Sequence, residues 1–444
     1  FSQGFGINTT GVETLAREKV SLIITVDNGI AGIEGVKRGK ELGLDIIVTD
    51  HHEANGELPD CLLIDPKQPG ETYSNKEITG VGVLFKVLLE VCRHYDKETI
   101  AKRDMDLVAL GTVADMGALL GENRLLVRTG LLIWNHPKGK PGIKTLIEKL
   151  GIKKEITAYE MGFVFGPLLN AESRLKGRPD KSIKILTTKD SREIEDGVAE
   201  LVSMNQQRKT LLEEQLLIGD SLIEPDKDFF FLWDDRITEG IAGLIASRLA
   251  DTYKKPVIVL GKTHEGKYKG SGRSIPEFNL KKALDKNSPL LFKYGGHQQA
   301  CGLTIEEDNL ILVKSFLETE AKMQLGGRIL SEEIILDAEL TMEDLNQAFI
   351  EKINRLEPFG IGFKKPIFLI KSIEIGKIQL MKGIHSKFSY KGIDFLAFNK
   401  ILQEGQRVHL TGYPSLNEYK GRTSVQLMIS DILQEETEIC ELET

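Results

Sequence analysis

The chain has 444 residues, a formal net charge of −8, and 41% hydrophobic and 28% charged residues, the proportions of an ordinary globular protein. That length holds about two to four domains with a core in each. No apolar run is long enough to span a bilayer and no signal peptide is visible, so a cytoplasmic location is expected. The acidic balance gives no whole-chain sign of nucleic-acid binding, although a basic footprint can be local.

The first residues, Phe1-Ser-Gln-Gly-Phe-Gly, read as the middle of a loop. Leu22 to Val26 is a short apolar run ending in Asp27-Asn28-Gly29, and Ile46 to Thr49 is another, ending in Asp50-His51-His52-Glu53. Both read as buried strands with polar tips. Between them Ile33 to Leu42 is an amphipathic helix stopped by Gly43. A parallel strand–helix–strand crossover puts both strand ends on one edge, where open α/β sheets carry their sites. Asp27 therefore converges on Asp50, His51 and His52, and carboxylate beside imidazole suits a divalent metal such as manganese or zinc. One acidic tip alone is often only a helix cap.

Leu62-Leu-Ile-Asp-Pro66 reads as a short strand ending at a turn, and Thr79-Gly-Val-Gly-Val83 opens a helix running Leu84 to Tyr95. Asp106 to Leu119 reads as a largely buried helix or strand whose interior charge is Asp115. A buried carboxylate needs a strong partner, and beside the other tips a metal is the better partner than a salt bridge. Leu125 to Trp134 and Gly142 to Leu150 look helical. Gly166 to Leu175 is a loop entering a helix and carries Arg174. Ser191 to Glu224, helical in its apolar spacing, reads as a long connector.

A second α/β pattern follows, with strands Phe229 to Trp233 and Pro256 to Leu260 around helix Ile241 to Tyr253. Lys267-Tyr-Lys-Gly-Ser-Gly-Arg-Ser274 is glycine-rich and basic, a glycine-flanked hairpin whose exposed amides, with an arginine, could cradle phosphate. Beyond about residue 330 come short alternating strands at Glu333 to Glu339, Ile367 to Ile375, Phe388 to Tyr390, Ile393 to Phe398, Arg407 to Tyr413 and Ser424 to Ile432. A small barrel of the oligonucleotide-binding type fits that rhythm. Lys387, Tyr390, Lys391, Tyr419, Lys420 and Arg422 are candidates for its basic, aromatic face, although charged hairpin tips are usually just solvated. Cys61, Cys92, Cys301 and Cys440 have no metal or redox spacing and read as reduced thiols.

These segments carry a resemblance. Thr25-Val-Asp-Asn-Gly-Ile30, Thr49-Asp-His-His-Glu53, Leu107-Val-Ala-Leu-Gly-Thr-Val-Ala-Asp115, Gly166-Pro-Leu-Leu-Asn-Ala171, Lys269-Gly-Ser-Gly-Arg-Ser274 and Gly295-Gly-His297 resemble, in order, the DHH phosphoesterase superfamily and within it the bacterial RecJ exonucleases. The resemblance implies an α/β fold in four parts: a parallel-sheet DHH domain over 1–190, a connecting helix over 191–227, a DHH-associated α/β domain over 228–325, and an OB-like β-barrel over 330–436. It implies two divalent ions, manganese or magnesium, that would acidify a bridging water. Asp27 would bridge the ions, His51 and Asp115 would be ligands, His52 would touch the phosphate, and Asp50 would orient its neighbours. Arg174, Ser271, Gly272, Arg273, Ser274, Gly295, Gly296 and His297 would hold the substrate over the metals. The implied activity is 5′-to-3′ degradation of single-stranded DNA to mononucleotides in recombination and repair, with a helicase and a single-strand-binding protein as family partners.

The chain departs from the family pattern in three places. Nothing before Asp27 matches the family's upstream Asp-x-Asp strand, so the chain is expected to be a fragment. Glu172-Ser173 stands where Ala-Gly usually precedes the arginine, which puts a carboxylate near a phosphate-binding residue. Arg236-Ile-Thr-Glu stands before Gly240 in place of the usual histidine, so that contact is not carried over. Two other readings remain: a small-substrate DHH phosphatase, which the C-terminal barrel argues against, and a non-catalytic relative that grips single strands, which the absent upstream acids favour.

Overall fold

The computed structural model describes residues 6–54, 56–326, 334–419 and 421–435, with only the backbone of Tyr419. Glu333, Lys420, Cys440 and the Tyr419 side chain lie outside the described residues. The chain forms two compact units. One is built from the described parts of 2–136, 155–162 and 332–444, the other from those of 137–154 and 163–331.

In the first unit, β1 (Leu22–Val26), β2 (Asp45–Thr49) and β3 (Leu62–Ile64) form a wholly parallel sheet in that order. Their β-branched residues favour a pleated, half-buried surface. Helix Ile33–Glu41 supplies the crossover, and Val36 joins Val12, Leu44, Ile46 and Val48 in one core cluster. The register aligns Val26 with Thr49 and Thr49 with Ile64. The ladder runs one step further, as Asp27 N–H donates to Thr49 O at 3.0 Å and Asp50 N–H to Ile64 O at 3.1 Å. Three acids, Asp27, Asp50 and Asp65, therefore stand in one row just past the three strand ends.

The segment after Asp104 is a helix, Met105–Ala114, and Asp115 is its C-cap. This corrects the expectation of an interior charge: the buried acid is Asp106, at 1% exposure, while the Asp115 side chain is 39% exposed at the helix end. The rest of the run is enclosed as expected, through Val108, Ala109, Leu110 and Thr112.

The second unit holds the 31-residue helix Ser191–Ser221 and a five-stranded sheet ordered β4-β5-β6-β8-β7. The strands are β4 (Phe230–Asp234), β5 (Val257–Lys262), β6 (Tyr268–Arg273), β7 (Lys293–Gly296) and β8 (Ala300–Ile305). Helix Glu239–Tyr253 covers one face through Ile241, Ala242, Ile245, Ala246 and Leu249. The glycine-rich stretch expected as a hairpin with open amides is the central strand β6, paired on both sides by β5 and β8. Its glycines serve close packing: a Cβ on Gly270 would lie 2.0 Å from the Val259 carbonyl oxygen. The backbone amides are spent on the ladder, so only side chains of this strand can meet a ligand.

Back in the first unit, β9 (Ala338–Glu339), β10 (Phe368–Glu374), β11 (Gln379–Met381), β12 (His385–Tyr390), β13 (Ile393–Ala397), β14 (Arg407–Tyr419) and β15 (Arg422–Gln434) make a seven-stranded sheet ordered β11-β12-β13-β15-β14-β10-β9. It encloses Phe388, Phe395, Val408, Leu410 and Leu427. Among the described residues the sheet does not close into a barrel. Helix Gln347–Asn354 and strand β11 were not visible in the alternation.

The turn around Glu357 to Phe363 is fastened to the DHH-like part of the same unit by one side chain. Arg124, on helix Gly121–Asn135, donates to the carbonyls of Pro358, at 2.8 Å, and Leu356, and its guanidinium lies 4.0 Å above the Phe363 ring. Leu119 N–H donates to Ile361 O at 2.7 Å beside it. Arg124→Ala is expected to cost about 2 kcal/mol, read as a lower urea midpoint, since charged hydrogen bonds and a stacked cation are lost together. Arg124→Lys should restore little of it, because one ammonium cannot serve both carbonyls and the ring.

Candidate metal centre and anion site

Asp50 is the buried anchor of the strand-tip cluster, at 1% exposure. Its Oδ2 accepts from Ile30 N–H at 2.9 Å, and its Oδ1 from His51 N–H at 2.8 Å and from His52 Nδ1 at 2.7 Å. Burial alone would raise its pKa, but these hydrogen bonds outweigh it and hold the carboxyl below its ordinary value. The same bond to Asp50 lifts the His52 imidazole above its ordinary value.

His51 points the other way. Its Nε2 lies 2.9 Å from Asp27 Oδ1 and 3.4 Å from Asp115 Oδ2. Despite these short distances, this buried Nε2 has no hydrogen-bond partner. One ligand atom each from Asp27, His51 and His52 lies within 4.8 Å of the others. Donors that crowd one point without bonding one another suit a shared cation better than a network of their own. Asp115 is held above the ordinary carboxylate range by partial desolvation and then by the negative charge of Asp27. It also sits at a helix C-terminus, where the dipole disfavours an anion. The sequence-expected Asp27, Asp50, His51, His52 and Asp115 are thus brought together.

Backbone geometry sets this arrangement. Asp27 has φ 63° and Met116, just after Asp115, has φ 59°, left-handed conformations that non-glycine residues rarely adopt and that gather at functional sites. Helix Gly80–His94 begins against Asp27, and a Cβ on Gly80 would fall 2.3 Å from Asp27 Oδ1 and 2.8 Å from its Cα.

Asp65 was missed. It is 2% exposed; one carboxylate oxygen accepts from Lys67 N–H at 2.7 Å, and the other, buried, has no hydrogen-bond partner. Burial and then the Asp50 charge raise its pKa. The signal was present: Leu62-Leu-Ile-Asp repeats the pattern of apolar strand and acidic tip that singled out Asp27 and Asp50.

In the other unit, Arg174 lies on helix Ala171–Lys176 and Arg273 ends β6. Glu172 does not pair with Arg174: it accepts from Lys181 N–H at 2.7 Å. A Cβ on Gly243 would lie 3.2 Å from Ser271 Oγ and 3.6 Å from Arg273 Nη2, and one on Gly240 2.0 Å from Arg174 O. Ser271, Arg273 and the backbone of Arg174 therefore gather at the start of helix Glu239–Tyr253. Gly272 packs under Leu280, and Ser274 spends its hydroxyl on Phe278 O at 2.8 Å. Gly295 and Gly296 pair with Gly302 and Cys301, and His297 N–H donates to Ala300 O at 2.8 Å, closing the β7–β8 turn.

On the C-terminal sheet Lys387 is ion-paired with Asp394 at 2.7 Å, Lys391 lies 5.8 Å from the centre of the Tyr390 ring, and Arg422 stands at the β14–β15 tip.

Comparison with known proteins agrees with this architecture. Residues 4–112 match the DHH family N-terminal domain, residues 226–323 the DHHA1 domain and residues 336–431 the RecJ OB domain. The class is thus a DHH protein with a DHHA1 and an OB domain. Over its whole length the chain is 34% identical to the single-stranded-DNA-specific exonuclease RecJ of Bacillus subtilis (strain 168), spanning 58% of that protein. It is 30% identical to that of Salmonella typhimurium (strain LT2), covering 97% of this chain and 80% of the relative. A crystal structure of RecJ with Mn2+ from Thermus thermophilus matches 97% of this chain and 64% of that one, with TM-score 0.85 and 29% identity. The chain belongs to the RecJ family.

Gly80→Ala is expected to push Asp27 aside at a cost of about 1–3 kcal/mol, as overpacking does. Urea denaturation should show the loss, and added manganese should recover less stability than it does in the parent chain.

Proposed function

We propose that this chain hydrolyses single-stranded DNA from its 5′ end, releasing mononucleotides, with two divalent ions, manganese or magnesium. The observation that carries the reading is the buried His51 Nε2, without a hydrogen bond, between the carboxylates of Asp27 and Asp115. The relatives are named as single-stranded-DNA-specific exonucleases, and one was solved with Mn2+.

In this reading Asp27, His51 and Asp115 would hold the ions. Bound there, the ions would supply charge neutralisation on the scissile phosphate and acidify the attacking water. Asp50 fixes the DHH turn through its four hydrogen bonds and holds His52 where it can donate to a phosphate oxygen. Arg174, Ser271 and Arg273 hold the terminal phosphate of the strand, with Gly272, Ser274, Gly295, Gly296 and His297 shaping the backbone beneath it. Lys391, Tyr390 and Arg422, with Tyr419 and Lys420, offer single-strand contacts on the OB domain; Lys387 contributes less because Asp394 already neutralises it. The division into 1–190, 191–227, 228–325 and 330–436 assigns metal, connector, phosphate and strand binding in turn. Work in recombination and repair implies a cytoplasmic setting, with a helicase and a single-strand-binding protein as partners. Among the described residues no helix is long and apolar enough to cross a membrane.

End-labelled single-stranded DNA with manganese tests the reading: mononucleotide release from the 5′ end is expected. Binding without cleavage would favour a non-catalytic relative, and cleavage of dinucleotides alone a small-substrate phosphatase. Asp27→Asn, which tolerates a left-handed backbone, should lower cleavage by at least about a hundredfold while leaving DNA affinity largely intact. Manganese at about a hundred times its Kd should add ~2.7 kcal/mol of stability to the parent chain and much less to the Asp27→Asn variant. Unchanged nuclease activity in that variant would remove Asp27 from the metal centre.

A further inference from the structure

Asp115 closes its helix, and the loop that follows it is thinly anchored. Met116 has φ 59° and is 70% exposed, and within residues 115–120 Leu119 alone is buried, at 2% exposure. A left-handed non-glycine residue persists only where its surroundings over-determine it. Gly117 N–H supplies one tether, donating to Thr112 O at 3.0 Å.

Further tethers come from the first turn of helix Gly121–Asn135, where three consecutive side chains each hold a different segment. Glu122 accepts from Lys86 Nζ at 2.7 Å and from the Tyr73 hydroxyl. Asn123 is fully buried, and its Nδ2 donates to Ala118 O at 3.0 Å and to Glu77 O at 2.6 Å. It thus ties the loop after Asp115 to the segment leading into Gly80, the glycine that abuts Asp27. Arg124 reaches the other way, to the carbonyls of Leu356 and Pro358 and the ring of Phe363.

The turn gripped by Arg124 belongs to the OB domain, and it closes directly on the loop. Leu119 N–H donates to Ile361 O at 2.7 Å, and a Cβ on Gly360 would lie 2.7 Å from Leu119 Cδ1. The turn is braced in itself. Gly360 and Phe363 exchange backbone hydrogen bonds at 2.9 and 3.2 Å, and the rings of Phe359 and Phe363 stack 5.7 Å apart. The one buried side chain of the loop is therefore covered from another domain.

We infer that Arg124 is a positioning residue for the metal centre, clamping the 356–363 turn onto the loop after Asp115 and so making the OB domain a structural part of the cation site. A carboxylate on a loose loop must be ordered when the ion binds, and that entropy weakens binding although no contact to the ion has changed. The inference deepens the proposed function and rests on its metal reading.

The test is calorimetric titration of the chain with manganese, without DNA, at a temperature where every variant is fully folded. Arg124→Ala should weaken manganese binding by about tenfold to a hundredfold, as loss of a ligand's support does. Arg124→Lys should weaken it as much, since an ammonium cannot span two carbonyls and a ring. Phe388→Leu, which loosens the core of the C-terminal sheet from β12, should leave the affinity unchanged. Leu119→Ala strips the loop of its buried anchor and should act like Arg124→Ala; it carries the test if that variant does not fold. Unchanged affinity in the folded Arg124 and Leu119 variants would overturn the inference and leave the metal reading standing. Equal weakening by Phe388→Leu would also overturn it, by showing that any loosening of the sheet suffices. A parent chain that takes up no manganese would overturn the metal reading, and the inference with it.

Discussion

Carboxylates gathered at the ends of parallel strands repel one another, and the first unit is arranged around that repulsion. The register of β1, β2 and β3 forces Asp27, Asp50 and Asp65 into one row, and the helix ending at Asp115 adds a fourth acid from a separate element. Each receives a different treatment. Asp50 is satisfied by four protein donors, so its charge is secured within the fold. Asp27 and Asp115 have the edge of His51 between them, and partial desolvation with the charge of Asp27 raises the pKa of Asp115. Asp65 has one oxygen fixed and one without a donor. This division separates a carboxylate that builds the turn from carboxylates left for a cation, and it follows from hydrogen-bond bookkeeping alone.

The second unit poses the opposite problem with the same logic. Its arginines lie beside a strand whose amides are already paired, so recognition there falls to side chains. Glycine at positions 240, 243, 270 and 272 removes the bulk that would hold these elements apart. The glycine-rich composition that suggested an open cradle thus has another cause, the close approach of a helix and two strands.

What was legible in the sequence was what depends on local pattern. Short β-branched runs with acidic tips gave β1 and β2, and the rule for parallel crossovers was enough to bring Asp27 to the histidines. The 31-residue helix was equally plain from its spacing. Strand β6 was not, because Lys-Gly-Ser-Gly-Arg has neither β-branched residues nor alternation, and only pairing on both sides makes it a strand. Asp115 was found but placed inside its helix, since a run of buried residues does not reveal where the last turn ends.

The left-handed backbone at Asp27 carries a consequence for how such a chain can change. Glycine would adopt φ 63° without cost, so the residue best suited to the local conformation is one that cannot hold an ion. A variant with glycine there would gain robustness as it lost its chemistry. Selection for stability alone would therefore favour losing the acid, and an aspartate at this backbone geometry surrenders conformational ease to keep a charged atom in place.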